Sequence, residues 1–496
     1  MTDTAYGTDS APAPAKTFTP ALIRLSAVVI LGVMMTILDT TIVNVAIRTL
    51  GRDFHASVAT IQWVATGYLL ALALVIPLSG WAVERFGVRR LWFGSLILFI
   101  AGSVLSGAAW SAESLIVFRV LQGAAAGMMM PVGQTMLARA AGPSRMGRVM
   151  SVIAVPALLG PVLGPVIGGA IIDGLSWRWI FYVNVPVGIV ALLAAWRWLG
   201  PDENERSTAP IDALGIALLS PGLAAFVYGL SEAGNAGFGA PRVLVATTGG
   251  ALLIAAFVVH ALRTRHPLLD MRLFEDRSFA SSAGTTFAFV GTMFAAMFLF
   301  PLYEQALRGT SALDAGLLLA PQGLAAMVAM PIGGRLGDRF GPRILVLSGL
   351  AFVALSTIAF TQLDLHTSQA LLALSGIPRG IGMGLAFPSL LGASYRTLSH
   401  AAIPRASTTI NIFQRLGGAV GTAIFAVILQ QGLDAGKGAA AFADTFWWVL
   451  GLTVLTVIPA LMLPNGPAPV ADAPGRQEPE KVSPPVGAPA APAAAP

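Results

Sequence analysis

An α-helix needs about 20 predominantly apolar residues to cross the hydrocarbon of a bilayer, and this chain offers fourteen such stretches in succession. They fall near 22–46, 59–80, 90–109, 114–138, 147–172, 179–199, 212–231, 242–262, 279–303, 311–334, 343–361, 370–394, 405–431 and 442–463. Runs this long satisfy their own backbone in lipid as helices, and none shows the alternation of a membrane barrel. Of 496 residues, 55% are hydrophobic and 11% charged, against about 25% charged in an ordinary soluble protein. The expected fold class is an all-α polytopic membrane protein.

The formal net charge of +6 does not point to nucleic acid, because the positive residues are scattered between the apolar spans rather than clustered. That is where orientation charges belong. With the N-terminus inside, 21 Lys and Arg fall on the inner side and 6 on the outer. Both termini are therefore expected in the cytoplasm and the protein in the cell membrane. The first 19 residues lack the charged start and apolar core of a signal peptide. The last 33, from Pro464, are rich in Pro and Ala and read as a disordered tail. There is no cysteine, and His55, His260, His266, His366 and His400 lie far apart. No metal and no cofactor are expected. No G-x-x-x-x-G-K-[ST] pattern is present, which argues against ATP as the direct energy source.

The chain repeats itself. "GWAVERFGVRR" (Gly80–Arg90) and "GRLGDRFGPRI" (Gly334–Ile344) share a glycine, an acid, Arg-Phe-Gly and a later arginine at an offset of 254. "LQGAAAGMMMP" (Leu121–Pro131) and "PRGIGMGLAFP" (Pro378–Pro388) align Gly123, Gly127 and Pro131 with Gly380, Gly384 and Pro388 at an offset of 257. The first pair follows spans 2 and 10, and the second lies in spans 4 and 12. Two parallel six-helix halves, with spans 7 and 8 inserted between them, account for this. That is the plan of a secondary transporter whose halves rock about a midplane site.

The first motif sits in a short loop, where Gly80 lets helices approach and Gly87 permits a tight turn. Glu84, Arg85, Arg89 and Arg90 can pair with each other and with helix ends. The acid recurs at Asp338, followed by Arg339, which suggests a latch that breaks when the halves move rather than simple positive-inside anchoring. In "GPVLGPVIGG", Gly160, Gly164 and Gly168 form a stripe of close packing, and Pro161 and Pro165 each remove a backbone donor. The other half keeps glycines in "GGAVGTAIF" (Gly417–Phe425) but no prolines, so one half carries a task of its own.

These motifs, with "RVLQGAAAGMMMP" and "LDTTIVNVAI", resemble the major facilitator superfamily over roughly residues 20–463, and within it the fourteen-helix drug:proton antiporters of the EmrB/QacA type. The resemblance implies two six-helix bundles plus two inserted helices. The division is 1–20 as a disordered cytoplasmic N-terminus, 21–200 as the first bundle, 201–278 as the inserted helices with their loops, 279–463 as the second bundle and 464–496 as the tail. The proline-glycine motif of span 5 implies export. One departure is Glu84, where the family usually has Asp.

Asp39 lies 15 residues past Arg24 in span 1, about 22 Å from the inner end and a little beyond mid-membrane. Thr36, Asp39, Thr40 and Val43 share one face, which should look into the bundle. Carboxylates in such places are rare and usually functional, and the resemblance assigns the matching Asp to coupling. Burial there works against the ionised form, so the group can load a proton on one side and release it on the other, given an aqueous route. By resemblance Arg119 in span 4 sits close to Asp39 and favours its ionised form; the competing reading is an interfacial arginine reaching for headgroups. Gln122, Arg379, Asn411, Gln414, Arg415, Tyr68 and Glu304 are candidates for lining a cavity. Arg379 and Arg415 serve equally well as ties to backbone carbonyls, and Glu304 and Glu232 read more simply as solvated interfacial carboxylates. Trp63 and Tyr68, with Phe287, Phe289, Phe294 and Phe298, form candidate aromatic surface, about a third of it facing substrate.

The function this implies is a proton-coupled antiporter that exports hydrophobic or amphipathic compounds by alternating access, without enzymatic chemistry. Its partners are a small-molecule substrate, protons and the bilayer, with a monomer as the simplest state. Alternatives are a dedicated exporter of one endogenous product, such as an antibiotic, lipid or siderophore, and a non-transporting membrane sensor.

Overall fold

The computed structural model describes residues 19–141, 145–202 and 210–466, and among them every regular element is helical. The expected disordered ends fall outside the described residues except at 19–20 and 464–466. The elements are α1 (Pro20–Asp53), α2 (Val58–Val75), α3 (Ser79–Phe86), α4 (Val88–Gly107), α5 (Ala112–Ala141), α6 (Met146–Gly174), α7 (Trp179–Tyr182), α8 (Asn184–Trp198), α9 (Ala213–Ala236), α10 (Pro241–Arg263), α11 (Arg277–Ala306), α12 (Ala312–Phe340), α13 (Pro342–Phe360), α14 (Gln369–Ala393), α15 (Ile403–Asp434), α16 (Ala439–Leu455) and α17 (Val457–Leu461).

Among the described residues, 13 candidate spans are long and apolar enough to cross a membrane. The fourteenth expected stretch is α6, a helix of 29 residues whose side chains are described only in part. Some spans are broken where the chain dictates it. Pro77 lies in a single 3-10 turn, Ile76–Leu78, that separates α2 from α3. Span 6 divides at Val183 into α7 and α8, which delivers Asn184 to the interior. Helix starts are fixed locally: Thr19, Ser57, Asp212, Asp276 and Ser311 each accept a hydrogen bond from an amide in the first turn of the helix that follows, worth about 1 kcal/mol apiece.

Helices α1–α8 pack together, as do α11–α17, and α9 and α10 form a hairpin against the seam, with α9 touching both α2 and α15. The repeated glycines do the same job twice. A Cβ on Gly123 would stand 2.3 Å from the Tyr68 carbonyl of α2, and one on Gly380 would stand 2.1 Å from the Gln322 carbonyl of α12. No larger residue fits at either crossing. The halves meet along α3 and α5 against α15, and α6 against α12 and α14.

Candidate functional site

Asp39 is 1% exposed inside the first half. Its carboxylate accepts hydrogen bonds from Arg119 Nη1 at 2.5 Å, Gln122 Nε2 at 3.0 Å and Asn184 Nδ2 at 3.0 Å. Arg119, also 1% exposed, gives Nε to the Val64 carbonyl at 3.3 Å and Nη1 to Gln122 Oε1 at 2.9 Å. Its guanidinium lies over the Tyr68 ring at 4.1 Å and the Phe181 ring at 5.7 Å. Four helices thus converge on one carboxylate: α1 carries it, α5 brings Arg119 and Gln122, α2 supplies Tyr68, and α8 begins with Asn184. Desolvation of both charges is offset by their mutual attraction and by these further bonds.

Two sequence expectations change here. Arg119 is not at the interface reaching for headgroups; it is the counter-charge of Asp39. And the aqueous route to Asp39 is closed in this conformation, because the carboxylate is enclosed by its three donors and the packed helices that carry them.

At one end the seam is shut by two cross-half latches. Glu84 accepts from Arg405 Nε at 2.8 Å and Nη2 at 2.9 Å, a two-pronged pair from the first half to α15. Asp338 Oδ1 accepts from the Gly147 amide at 3.0 Å, with Arg148 Nε 3.9 Å from Oδ2. Glu84 and Asp338 are 254 positions apart, and Arg148 and Arg405 are 257 apart, so each latch is the repeat of the other. Arg89 and Arg90 of the loop do not complete the latch, which corrects the expectation that they pair with Glu84: its two-pronged partner comes from the other half. Arg90 and Arg339 are exposed, Arg339 lying over Phe340. The Arg89 amide donates to Asp202 at 3.0 Å, and its guanidinium lies over Phe93. Gly80 lets α15 close on α3, with Arg405 Cα 3.3 Å from where its Cβ would stand. Gly87, at φ 86°, makes the turn into α4, and Gly341, at φ 93°, makes its repeat into α13.

Behind the latches runs a polar seam. Gln134 Oε1 of α5 accepts from Asn411 Nδ2 at 2.7 Å, Tyr395 Oη at 3.1 Å and Ser407 Oγ at 3.2 Å, all from the second half. The Ser79 and Thr408 hydroxyls lie 2.8 Å apart across the same boundary.

The candidate cavity residues separate on inspection. Gln122 and Tyr68 belong to the closed Asp39 cluster, and Asn411 to the closed seam. Arg379, 3% exposed, donates to Thr357 Oγ1 and the Thr292 carbonyl, both at 3.2 Å, so it ties α14 to α13 and α11. Glu304 is not solvated: at 0% exposure it pairs with Arg308 at 3.2 Å inside a packed aromatic cluster with Tyr303 and Phe442. Glu232 pairs with Arg242 near the surface. Arg415 is the one left with an open surface, beside Gln414, whose amide nitrogen has no acceptor among the described residues. Of the aromatics, Phe289 is buried and Phe287 packs on Phe413; Trp63 stacks on Tyr228 of α9; Phe294 and Phe298 are exposed.

In the glycine-proline motif, Gly164 and Gly168 press against Thr41 and Ile42 of α1, immediately beyond Asp39. The side chains of Gly160, Pro161 and Pro165 lie outside the described set. Sequence reading missed Asn184, Arg148, Arg405 and Gln134. An amide in the apolar "FYVNVPVG" was a visible signal for the first, and the repeat offset for the two arginines; nothing marked Gln134.

The Major Facilitator Superfamily model matches residues 29–422 and 282–490. The chain is 40% identical over 488 residues to the "Multidrug resistance protein B homolog" of Mycobacterium tuberculosis, with 90% of each chain covered. It is 33% identical over 418 residues to the "Multidrug export protein EmrB" of Haemophilus influenzae, covering 83% of this chain and 82% of that one. Among solved structures, the human organic anion transporter MFSD10 superposes with a TM-score of 0.66 at 17% identity, over 89% of this chain and 100% of that chain. The proton:xylose symporter XylE gives 0.63 at 14% identity, over 88% and 94%. At those identities the structural likeness concerns the fold.

Proposed function

The chain belongs to the major facilitator superfamily, and on that premise we propose that it is a proton-driven exporter of hydrophobic or amphipathic compounds; the names of two relatives, a multidrug resistance protein and a multidrug export protein, support the export. It is a multi-pass membrane protein. We place the latch end and both termini in the cytoplasm, because Lys and Arg crowd that side by 21 to 6. The conformation is then closed to the cytoplasm. It acts as a carrier rather than an enzyme, driven by the proton gradient without a cofactor, and as a monomer.

The observation that carries the reading is a membrane-core carboxylate whose bonds all reach other helices of its half. Protonating Asp39 removes the charge that holds Arg119. The Gln122 and Asn184 contacts then lose their charge assistance, and the shell opens. Gly164 and Gly168 of α6 press on α1 one turn beyond, and α6 also carries Gly147 and Arg148 of the second latch. A change at Asp39 therefore has a rigid path to the latch that must break for the cytoplasmic end to open. Cargo binding from the cytoplasm favours release of the proton there, as linkage requires. The test is export of a fluorescent amphiphile from proteoliposomes under an imposed pH gradient. Absence of gradient-dependent movement across a chemically broad panel overturns the proposal.

A further inference from the structure

The polar residues of α15 that face the first half follow one another at helical spacing: Thr408, Asn411, then Arg415. Thr408 meets Ser79, and Asn411 meets Gln134. One turn further, contact ends. Arg415 is exposed, and it makes no hydrogen bond or ion pair with any described residue. It lies within electrostatic reach of the Tyr68 hydroxyl of the first half. It shares the face of α15 that carries Thr408 and Asn411, so its exposure is toward the first half and not around the outside of the bundle. Arg415 therefore stands where the two halves part.

Among the described residues, its surroundings offer donors and apolar surface but no free acid. Gln414 beside it holds a buried side-chain nitrogen with no acceptor among the described residues. The one carboxylate nearby, Asp39, is committed to Arg119. Arg379 of the same half is held by neutral oxygens alone. The Phe294 ring lies against Gly418, the next position along the face, and stays 41% exposed, with Phe298 one turn beyond it.

Resting on the exporter reading, we propose that Arg415 is a substrate-recognising residue and that the cargo is an amphiphile pairing an anionic head, a carboxylate, sulfonate or phosphate, with an aromatic or aliphatic body. A guanidinium donates to such a head through two parallel bonds, and the unpaired Gln414 amide nitrogen adds a further donor. Phe294 and Phe298 cover the apolar body. A cationic head would face an uncompensated positive charge.

The test uses two probes of the same ring system that differ in the head. 8-Anilinonaphthalene-1-sulfonate carries the anion, and N-phenyl-1-naphthylamine lacks it. Equilibrium dialysis against the full chain in nanodiscs, with empty nanodiscs subtracted, gives the ratio of the two affinities. The ratio favours the sulfonate in the natural chain, falls about tenfold or more in Arg415→Gln, and is only partly kept in Arg415→Lys, which retains the charge but not the two parallel bonds. Because each variant is read as a ratio, loss of folded protein does not imitate the effect. A natural chain that binds the neutral probe as tightly as the sulfonate, or an unchanged ratio in Arg415→Gln, overturns the assignment. If the chain exports ethidium under a pH gradient yet shows no sulfonate preference, the exporter reading survives and this one falls. If the ratio behaves as stated while no probe moves under the gradient, the reverse holds.

Discussion

Asp39 and Arg119 hold each other in a place where neither is stable alone. Arg119→Ala leaves the carboxylate without its counter-charge and should change the pH profile of transport. Transport assayed at a series of external pH values checks this, and an unmoved profile contradicts the pairing as a functional device. Asn184→Leu removes one donor from the same carboxylate; it should destabilise the protein by about 1–3 kcal/mol, read as a lower melting temperature, and alter the same pH profile. How legible these residues were in the sequence followed from chemistry. A charge inside an apolar span announces itself by its cost, and Asp39, Arg119, Arg379 and Arg415 were all visible on that ground. An amide such as Asn184 or Gln134 is cheap enough to pass unnoticed, and only the fold shows what it bonds. Burial was the harder quantity: Glu304 sits near a span end, where a carboxylate normally meets water, and its enclosure comes from packing of distant segments around Tyr303 and Phe442.

At the scale of helices, the repeat predicts more than topology. It relates Glu84 to Asp338 and Arg148 to Arg405, so each half's loop acid reaches an arginine of the other half. Reading the loop motif by itself led to arginines inside the same loop, because sequence proximity suggested them; the partners lie 321 and 190 positions away. Reversing one charge, as in Glu84→Arg, should abolish the contact, and adding Arg405→Glu should restore part of it. A double-mutant cycle on thermal stability measures the coupling, expected on the order of 1 kcal/mol; zero coupling would remove the latch. Close packing gives a second expectation. Gly380→Leu places side-chain atoms where the Gln322 carbonyl already stands and should prevent α14 from seating on α12, read as loss of folded protein after extraction.

For the whole molecule, the succession of helical spans and the internal duplication were readable because a bilayer imposes length and backbone satisfaction on every sequence that crosses it. Which end of the seam is closed was not readable, since the same sequence must support both states of an alternating carrier. Ser79 and Thr408 offer a handle on that alternation, their hydroxyls 2.8 Å apart in a chain with no native cysteine. Ser79→Cys with Thr408→Cys should form an oxidant-dependent cross-link that stops transport and is reversed by reductant; unhindered transport by the cross-linked protein would show that this end never opens. The most direct test of the central claim is pH-gradient-driven export by Asp39→Asn in proteoliposomes. Asparagine keeps the size and an acceptor oxygen but cannot carry a proton in exchange for a charge. The account predicts a folded, membrane-inserted protein with gradient-driven export abolished; export at the natural rate would contradict it.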